Sequence, residues 1–290
     1  MFISDLKDET YTLLHCTDEY ITTPEFHQHD YYELYFYLSG DASIVIEEFS
    51  CRLEPGDVVL LPPDRMHRAI HHTEHGHYDR YIIYVTPAFL EHAGTADYPL
   101  LQLFRDAAAK SYFIAHPSGK ELTRTLTLMN DLTSVPDTDA QQRLIRDYTI
   151  AIVLARICGW FMQSSCFDEA HTSHALSGVI SYINAHLDGD LSLDTLSARF
   201  DINKYALLRL FKDYAQVTLH QYILQKRISR AKYLLLTGTP PSQVYAACGY
   251  YEYSSFYKAF KNPTGLTPQQ FLRSAPTLGT SSAAADFSRS

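Results

Sequence analysis

CGYYEYSSFYKAFKNPTGLTP, residues 248–268, is the stretch whose reading decides the fold of this chain. Gly249 supplies a tight turn between a short helix over Ser242–Cys248 and a second helix over Ser254–Asn262. Phe256 and Phe260, four residues apart, fall on one face of that second helix and form its buried side. Tyr253, Ser254, Tyr257 and Lys258 are then left outward. This is a helix-turn-helix unit, and the segment before it repeats the plan. After a helix over Leu176–Leu187, Ser192 N-caps a helix that buries Leu193, Leu196 and Phe200. Asp201–Asn203 makes the turn into a helix over Lys204–Tyr214, with Leu207, Leu210 and Phe211 inward. Its outer face carries Tyr205, Leu208, Arg209 and Lys212, and a long helix over Leu219–Leu236 joins the two units.

Charge separates this region from the rest. Residues 175–275 hold 11 Lys+Arg against 6 Asp+Glu, a net of +5, whereas residues 1–174 hold 12 against 26, a net of −14. A basic module on an acidic chain is an electrostatic footprint for phosphate, and Lys226, Arg227, Arg230 and Lys232 supply much of it. Two helix-turn-helix units on one polypeptide can read two major-groove segments. Arg209 is placed to bond O6 and N7 of guanine, Lys204 and Lys212 to meet phosphates, and Leu208 to touch a thymine methyl.

The first 167 residues read differently. Leu34–Leu38, Ser43–Glu47, Asp57–Leu61 and Arg80–Val85 are short runs of β-branched and aromatic residues separated by turn chemistry, the pattern of a small barrel or jelly roll. Helices are expected over Pro87–Ser111, Gly119–Ser134 and Ala140–Gln163, the last apolar on nearly two sides. Residues 168–175 make a polar linker, residues 176–275 the helical domain, and residues 276–290 a disordered tail. An acidic N-terminus and the lack of a long apolar run imply a cytoplasmic protein without membrane contact. Five cysteines with no CxxC spacing read as reduced structural thiols.

His27, His29 and Glu33 have the spacing HxHxxxE, which strand alternation would place on one face. Tyr31, Tyr35 and Tyr37 share that parity, so imidazoles, a carboxylate and phenols would line one interior. Tyr32, Tyr78, Tyr81 and Tyr84 extend the aromatic wall, and polyol-binding pockets combine such rings with directed polar groups. The five histidines between His67 and His77 read as a solvated loop.

Residues 191–271 resemble the C-terminal domain of the AraC/XylS family of bacterial transcription regulators. The match lies in Leu207–Lys212, Arg227, Ala231, Leu234, Leu235, Gly249, Tyr250, Ser255, Phe256, Phe260, Lys261 and Gly265–Pro268. The resemblance implies seven helices and two recognition helices in adjacent major-groove turns, with Tyr205, Leu208, Arg209, Tyr253, Ser254 and Lys258 at base-contacting positions. Gln216 replaces the family's usual glycine after the first recognition helix, so that turn must avoid a positive φ or strain to hold it. Pro241, Tyr245 and Leu272 also depart from the family pattern.

Upstream, His27, His29, Glu33 and Gly40, followed by Gly56, Pro62 and His67, resemble the two cupin motifs, although Asp64 stands where a glycine is expected. The implied fold class is α+β: a cupin-like β-barrel followed by helices, then an all-α domain with two helix-turn-helix motifs. The implied function is transcription regulation without enzymatic activity or cofactor. A small-molecule effector, such as a sugar or related metabolite, would be contacted by His27, His29, Glu33, Tyr35 and His67. Promoter DNA, a second copy of the chain and RNA polymerase are the further partners. Two alternatives stay open: a metal-dependent cupin enzyme using His27, His29, Glu33 and His67, and a regulator whose barrel serves only to dimerise.

Overall fold

The computed structural model describes residues 11–20, 26–47, 49–73, 75–110, 113–134, 139–163 and 174–274, and its contacts group into two units that divide between Ser177 and Gly178. Most of the expected linker and all of the expected tail lie outside the described residues.

In the first unit seven strands come first: β1 (Tyr11–Tyr20), β2 (Tyr32–Ser39), β3 (Ala42–Ile46), β4 (Phe49–Arg52), β5 (Val58–Leu61), β6 (His67–His71) and β7 (His75–Val85). Helices α1 (Pro87–Ala93) and α2 (Leu100–Ala109) follow, then β8 (Ile114–Ala115), α3 (Gly119–Ser134) and α4 (Ala140–Gln163). All pairings are antiparallel, in a five-stranded sheet of order β1-β7-β2-β5-β8 and a three-stranded sheet of order β4-β3-β6. The pleat of β2 sorts its side chains between two cores. Tyr32, Leu34 and Phe36 join Val153, Leu154, Ile157 and Phe161 of α4 in the core between sheet and helices. Tyr35 and Tyr37 face the other way and pack with Ile44, Ile46, Val59, Leu61, Tyr78 and Ile82 between the two sheets. Successive side chains of a strand point to opposite faces, so this division follows from the sequence once β2 is central.

Several expectations need correction. The helix expected over Pro87–Ser111 is two helices, because Gly94 caps α1 and Thr95 and Tyr98 close a turn on each other ahead of Pro99. The histidine-rich segment is not a loop: His67 through His71 pair antiparallel with Ile46 through Ala42, and β7 begins at His75. Conversely, HxHxxxE is not one strand. His27 makes an isolated bridge to His67, residues 28–31 are irregular, and β2 starts only at Tyr32. The expectation that α4 is apolar on nearly two sides holds: Ile150, Val153, Leu154, Ile157, Cys158 and Phe161 are buried, and Leu144, Tyr148, Ile152 and Met162 are exposed.

The second unit contains α5 (His174–Ala185), α6 (Leu193–Phe200), α7 (Lys204–Ala215), α8 (Leu219–Leu236), α9 (Pro241–Ala247), α10 (Tyr253–Thr264) and α11 (Pro268–Ser274). These are the seven helices the resemblance implies. Local chemistry fixes their ends: Ser192 accepts from Thr195 N, Asn203 from Tyr205 N, and Thr218 forms a capping box with Gln221. Gln216 holds the left-handed turn itself, at φ 59°, while its side chain donates to the Asp213 carbonyl at 2.9 Å. Pro240 and Pro241 start α9, where a missing N–H costs nothing because first-turn N–H groups have no intrahelical acceptor.

Arg227 on α8 ties the unit together. Its Nε donates to the Leu187 carbonyl at 3.0 Å and its Nη2 to the Gly189 carbonyl at 2.8 Å, while the guanidinium lies 5.5 Å from the centre of the Tyr250 ring. Gly249, at φ 73°, passes so close that an added Cβ would lie 2.5 Å from both Arg227 Nη2 and the Leu187 oxygen. The turn of the second helix-turn-helix is therefore seated on the loop that opens the first. Gly249→Ala should lower the unfolding free energy by about 3 kcal/mol, since left-handed strain and a backbone clash add. Gln216→Gly should change it by less than about 1 kcal/mol, because relief of the left-handed strain at φ 59° offsets the added freedom of the unfolded chain. Urea denaturation of both variants checks the contrast, and equal losses would contradict it.

Candidate functional site

The outward faces of α7 and α10 follow from what they bury. Leu207, Phe211 and Ala215 of α7 are fully buried, with Phe211 edge-on to Tyr222 at 5.3 Å, so the opposite side looks to solvent. Tyr205 is 84% exposed, and Leu208, Arg209 and Lys212 are exposed beside it. Leu210, expected inward, is 40% exposed, because the covered line runs through positions 207, 211 and 215 at i, i+4 steps. Lys204 is ion-paired with Asp194 of α6, and Lys212 Nζ donates to the Gln216 carbonyl at 2.5 Å, capping its own helix. Arg209 makes no ion pair among the described residues.

On α10, Phe256 and Phe260 are buried, whereas Tyr253, Ser254 and Lys258 are exposed and Tyr257 is half-buried against Tyr253. Ser254 Oγ donates to Glu252 at 3.2 Å. Tyr251, which the sequence reading passed over, stands 93% exposed just before this helix. An aromatic side chain between a turn glycine and a helix start was its only signal. The basic stripe of α8 is less available than composition suggested, since Lys226 is buried and Arg227 is spent on the brace just described.

In the first unit, irregular chain brings together what a single strand could not. Glu33, the second residue of β2, is buried with its Oε2 3.0 Å from His29 Nε2 and 3.6 Å from His67 Nε2. The bend at Asp30–Tyr31 lets His29 fold back onto Glu33, and the backbone bridge between His27 and His67, at 3.1 and 2.9 Å, sets those two rings 4.5 Å apart. His29 Nδ1 lies 2.8 Å from the Tyr31 carbonyl and His67 Nδ1 2.8 Å from the Arg65 carbonyl. A carbonyl only accepts, so each Nδ1 carries a proton and each Nε2 is turned toward Glu33. One ligand atom from each of His27, Glu33 and His67 lies within 4.8 Å of the others, a donor set suited to a divalent transition metal. Asp64 holds the turn below the cluster at φ 65°, with its N–H on the His29 carbonyl at 2.9 Å, so an aspartate fills the left-handed position where glycine was expected.

Burial alone would raise the Glu33 carboxyl, but hydrogen bonds and charge from His29 and His67 outweigh it and hold it well below the usual carboxylate range. Tyr31 stacks on His29 at 4.0 Å and meets Tyr84 edge-on at 5.1 Å. Burial, reinforced by the Glu33 charge, pushes both phenols up, so they stay protonated donors. Deeper between the sheets, the hydroxyls of Tyr35 and Tyr78 are buried with no hydrogen-bond partner among the described residues. Tyr32 and Tyr81 do not belong to this wall; they pack in the core between sheet and helices. Arg80, missed in the sequence, shares the inward face of β7 with Tyr78, lies 4.5 Å over its ring and bonds Asp18 at 2.6 Å. Strict alternation along residues 78, 80, 82 and 84 was the signal that could have found it. Desolvation and the Arg80 charge bring His71, edge-on to Tyr78 at 4.4 Å, down to about 4. Tyr35→Phe should leave stability unchanged or raise it by up to about 1 kcal/mol, since it removes a buried hydroxyl that lacks a partner. A loss above about 2 kcal/mol in thermal or urea unfolding would contradict that.

Two family models and several known proteins match parts of the chain. An AraC-like ligand binding domain matches residues 13–145, and a helix-turn-helix domain matches residues 196–274. The probable transcriptional regulator LumQ of Photobacterium leiognathi is 25% identical over 249 residues, covering 85% of this chain and 91% of that protein. The right origin-binding protein of Escherichia coli (strain K12) is 31% identical over 97 residues, covering 33% of this chain and 34% of that protein. A crystal structure of ToxT from Vibrio cholerae aligns with 92% of this chain and 98% of its own, at 13% identity and a TM-score of 0.37.

Proposed function

Because the chain belongs to the AraC family of DNA-binding transcriptional regulators, we propose that an effector bound between the sheets of its first unit governs how its second unit engages promoter DNA. The observation that carries this reading is the polar interior: Tyr35 and Tyr78 hydroxyls buried without hydrogen-bond partners among the described residues, beside the His27, His29, Glu33 and His67 cluster. Hydroxyls left unpaired at depth are costly unless something bonds them, and a polyhydroxylated metabolite such as a sugar offers matching groups and a face for ring stacking. The reading is that of a binding protein, with no enzymatic step. A ligand that binds only the folded state raises apparent stability, so thermal shifts across a panel of sugars and polyols test it. No shift from any of them, with DNA binding intact, would favour a barrel that serves dimerisation alone.

Arg209 and Lys258 are assigned the main contacts of the two recognition helices, with Tyr205, Leu208, Tyr253, Ser254 and Tyr257 beside them. Lys204 and Lys212 keep a phosphate role, but each must first leave the partner it holds in the free protein. Arg209→Ala should weaken binding to a promoter fragment about 10- to 100-fold and relax preference at one base pair. Lys258→Ala should weaken it and flatten the dependence on log salt by about one unit. Unchanged affinities and salt slopes for both variants in anisotropy titrations would remove the assignment.

The exposed stripe of α4 is assigned to a second copy of the chain. Its large exposed side chains are Leu144, Ile145, Tyr148, Ile152 and Met162, whereas Ala155 and Gly159 are half-buried with the Tyr98 hydroxyl against them. An antiparallel pair centred on Ile152 would bring the exposed large side chains of the two copies together. Tyr148→Glu should convert a dimer to monomer in sedimentation velocity without loss of helical signal. A regulator acting at promoters in this way would work in the cytoplasm, beside RNA polymerase. Among the described residues no helix is long and apolar enough to cross a membrane.

A further inference from the structure

We propose that Glu252 sets the base preference of the second recognition helix, its carboxylate accepting a hydrogen bond from the exocyclic amine of a cytosine. The inference rests on the DNA-binding reading of α10 and adds a residue to it. Glu252 is the only carboxylate side chain between Asp213 and Asp286, a stretch that carries seven lysines and arginines. It stands at the N-cap of α10, and the N-terminal residues of a recognition helix are the ones that meet base edges. A lone negative charge at that point opposes the phosphate backbone, so it lowers affinity for DNA in general. Such a residue gains selectivity when one base offers it a donor and the others do not.

Helix capping does not account for it. The two recognition helices are equal in length and begin alike, with Asn203 before α7 and Glu252 before α10. Asn203 accepts from the Tyr205 N–H, as a capping residue does, whereas the Glu252 side chain accepts no backbone N–H of its helix. Its backbone is extended, at φ −127° and ψ 138°, and its Oε2 accepts from Ser254 Oγ at 3.2 Å. A helix dipole favours any carboxylate at this end, yet an aspartate would serve the dipole and cap the backbone as well. The longer side chain carries the charge away from the amides. Glu252 is exposed between exposed Tyr251 and Tyr253, and it makes no ion pair among the described residues. In the major groove cytosine presents its N4 amine, adenine sets its N6 amine beside the N7 acceptor, and guanine and thymine present acceptors that repel a carboxylate. Cytosine is the base this side chain fits, and Ser254 orients it.

The test uses the full-length protein and a duplex library with a randomised core, sequenced after selection by the wild type, Glu252→Gln and Glu252→Asn. The wild type should enrich a C·G pair at one position of the segment read by α10, which the changes caused by Lys258→Ala locate. Glu252→Gln should lose about 10- to 100-fold of the discrimination at that position. Sequences lacking the pair should bind this variant about 3-fold more tightly, as a like charge leaves the phosphates. Glu252→Asn can cap α10 as Asn203 caps α7, so it should keep the urea stability and still lose the preference for cytosine, which separates base reading from fraying of the helix. Identical enriched sequences for all three proteins, or a sensitive position that in the wild type is not a C·G pair, would overturn the proposal and leave the DNA reading standing. Failure of the wild type to enrich any sequence, with or without the sugars of the panel above, would remove the DNA reading and this inference with it.

Discussion

The pairing of β2 between β7 and β5 is the constraint on which the first unit depends. Both faces of this strand are buried, so every residue from Tyr32 to Tyr37 is committed to one of two cores. A slip of one residue would turn Leu34 and Phe36 into the interior and Glu33, Tyr35 and Tyr37 toward the helices. The cost would fall on both cores together, with a carboxylate driven among the side chains of α4. Register and site are thus specified by one interaction. The place of Glu33 at the mouth of the histidine cluster is as firmly set as the core itself.

The second unit reaches rigidity by another route. Ile228, Ala231, Leu235, Val244, Phe256 and Phe260 form one compact cluster around the second helix-turn-helix. Arg227 joins this cluster to the opening loop of the first unit of recognition through two carbonyls and the Tyr250 ring. Hydrogen bonds from a charged donor are about twice as strong as neutral ones. This brace, seated against Gly249, couples the turn of the second helix-turn-helix to the loop that opens the first. Part of the positive charge seen in composition therefore serves architecture and not DNA.

Much of the fold was legible in the residues because its signals are local. Helix ends at Ser192, Asn203 and Thr218 rest on caps within a few residues, and α3, α4 and α8 follow from period and breakers alone. The errors share one physical origin: they concern positions where tertiary contacts override local chemistry. His67 to His71 looked like solvated chain, yet β3 offers their backbone a full set of partners. Leu210 fits the apolar period of α7, yet no neighbouring helix covers it. Two positions where glycine was expected, Asp64 and Gln216, keep the left-handed backbone with other residues, because surrounding hydrogen bonds impose it.

By itself, the sequence determined the class of this protein: two helix-turn-helix units with their outward residues, a basic module on an acidic chain, and a β domain carrying a histidine–glutamate motif. These are properties of spacing and charge, which survive without knowledge of the fold. Only the tertiary structure decided how the motif is used. The three residues expected on one strand face, His27, His29 and Glu33, meet His67 instead through a bend and a bridge to a distant strand, and two carbonyls fix which nitrogen His29 and His67 present. Such directions are set by backbone groups with no identity in the sequence, and for that reason the way His29 and His67 meet Glu33 emerges only in three dimensions.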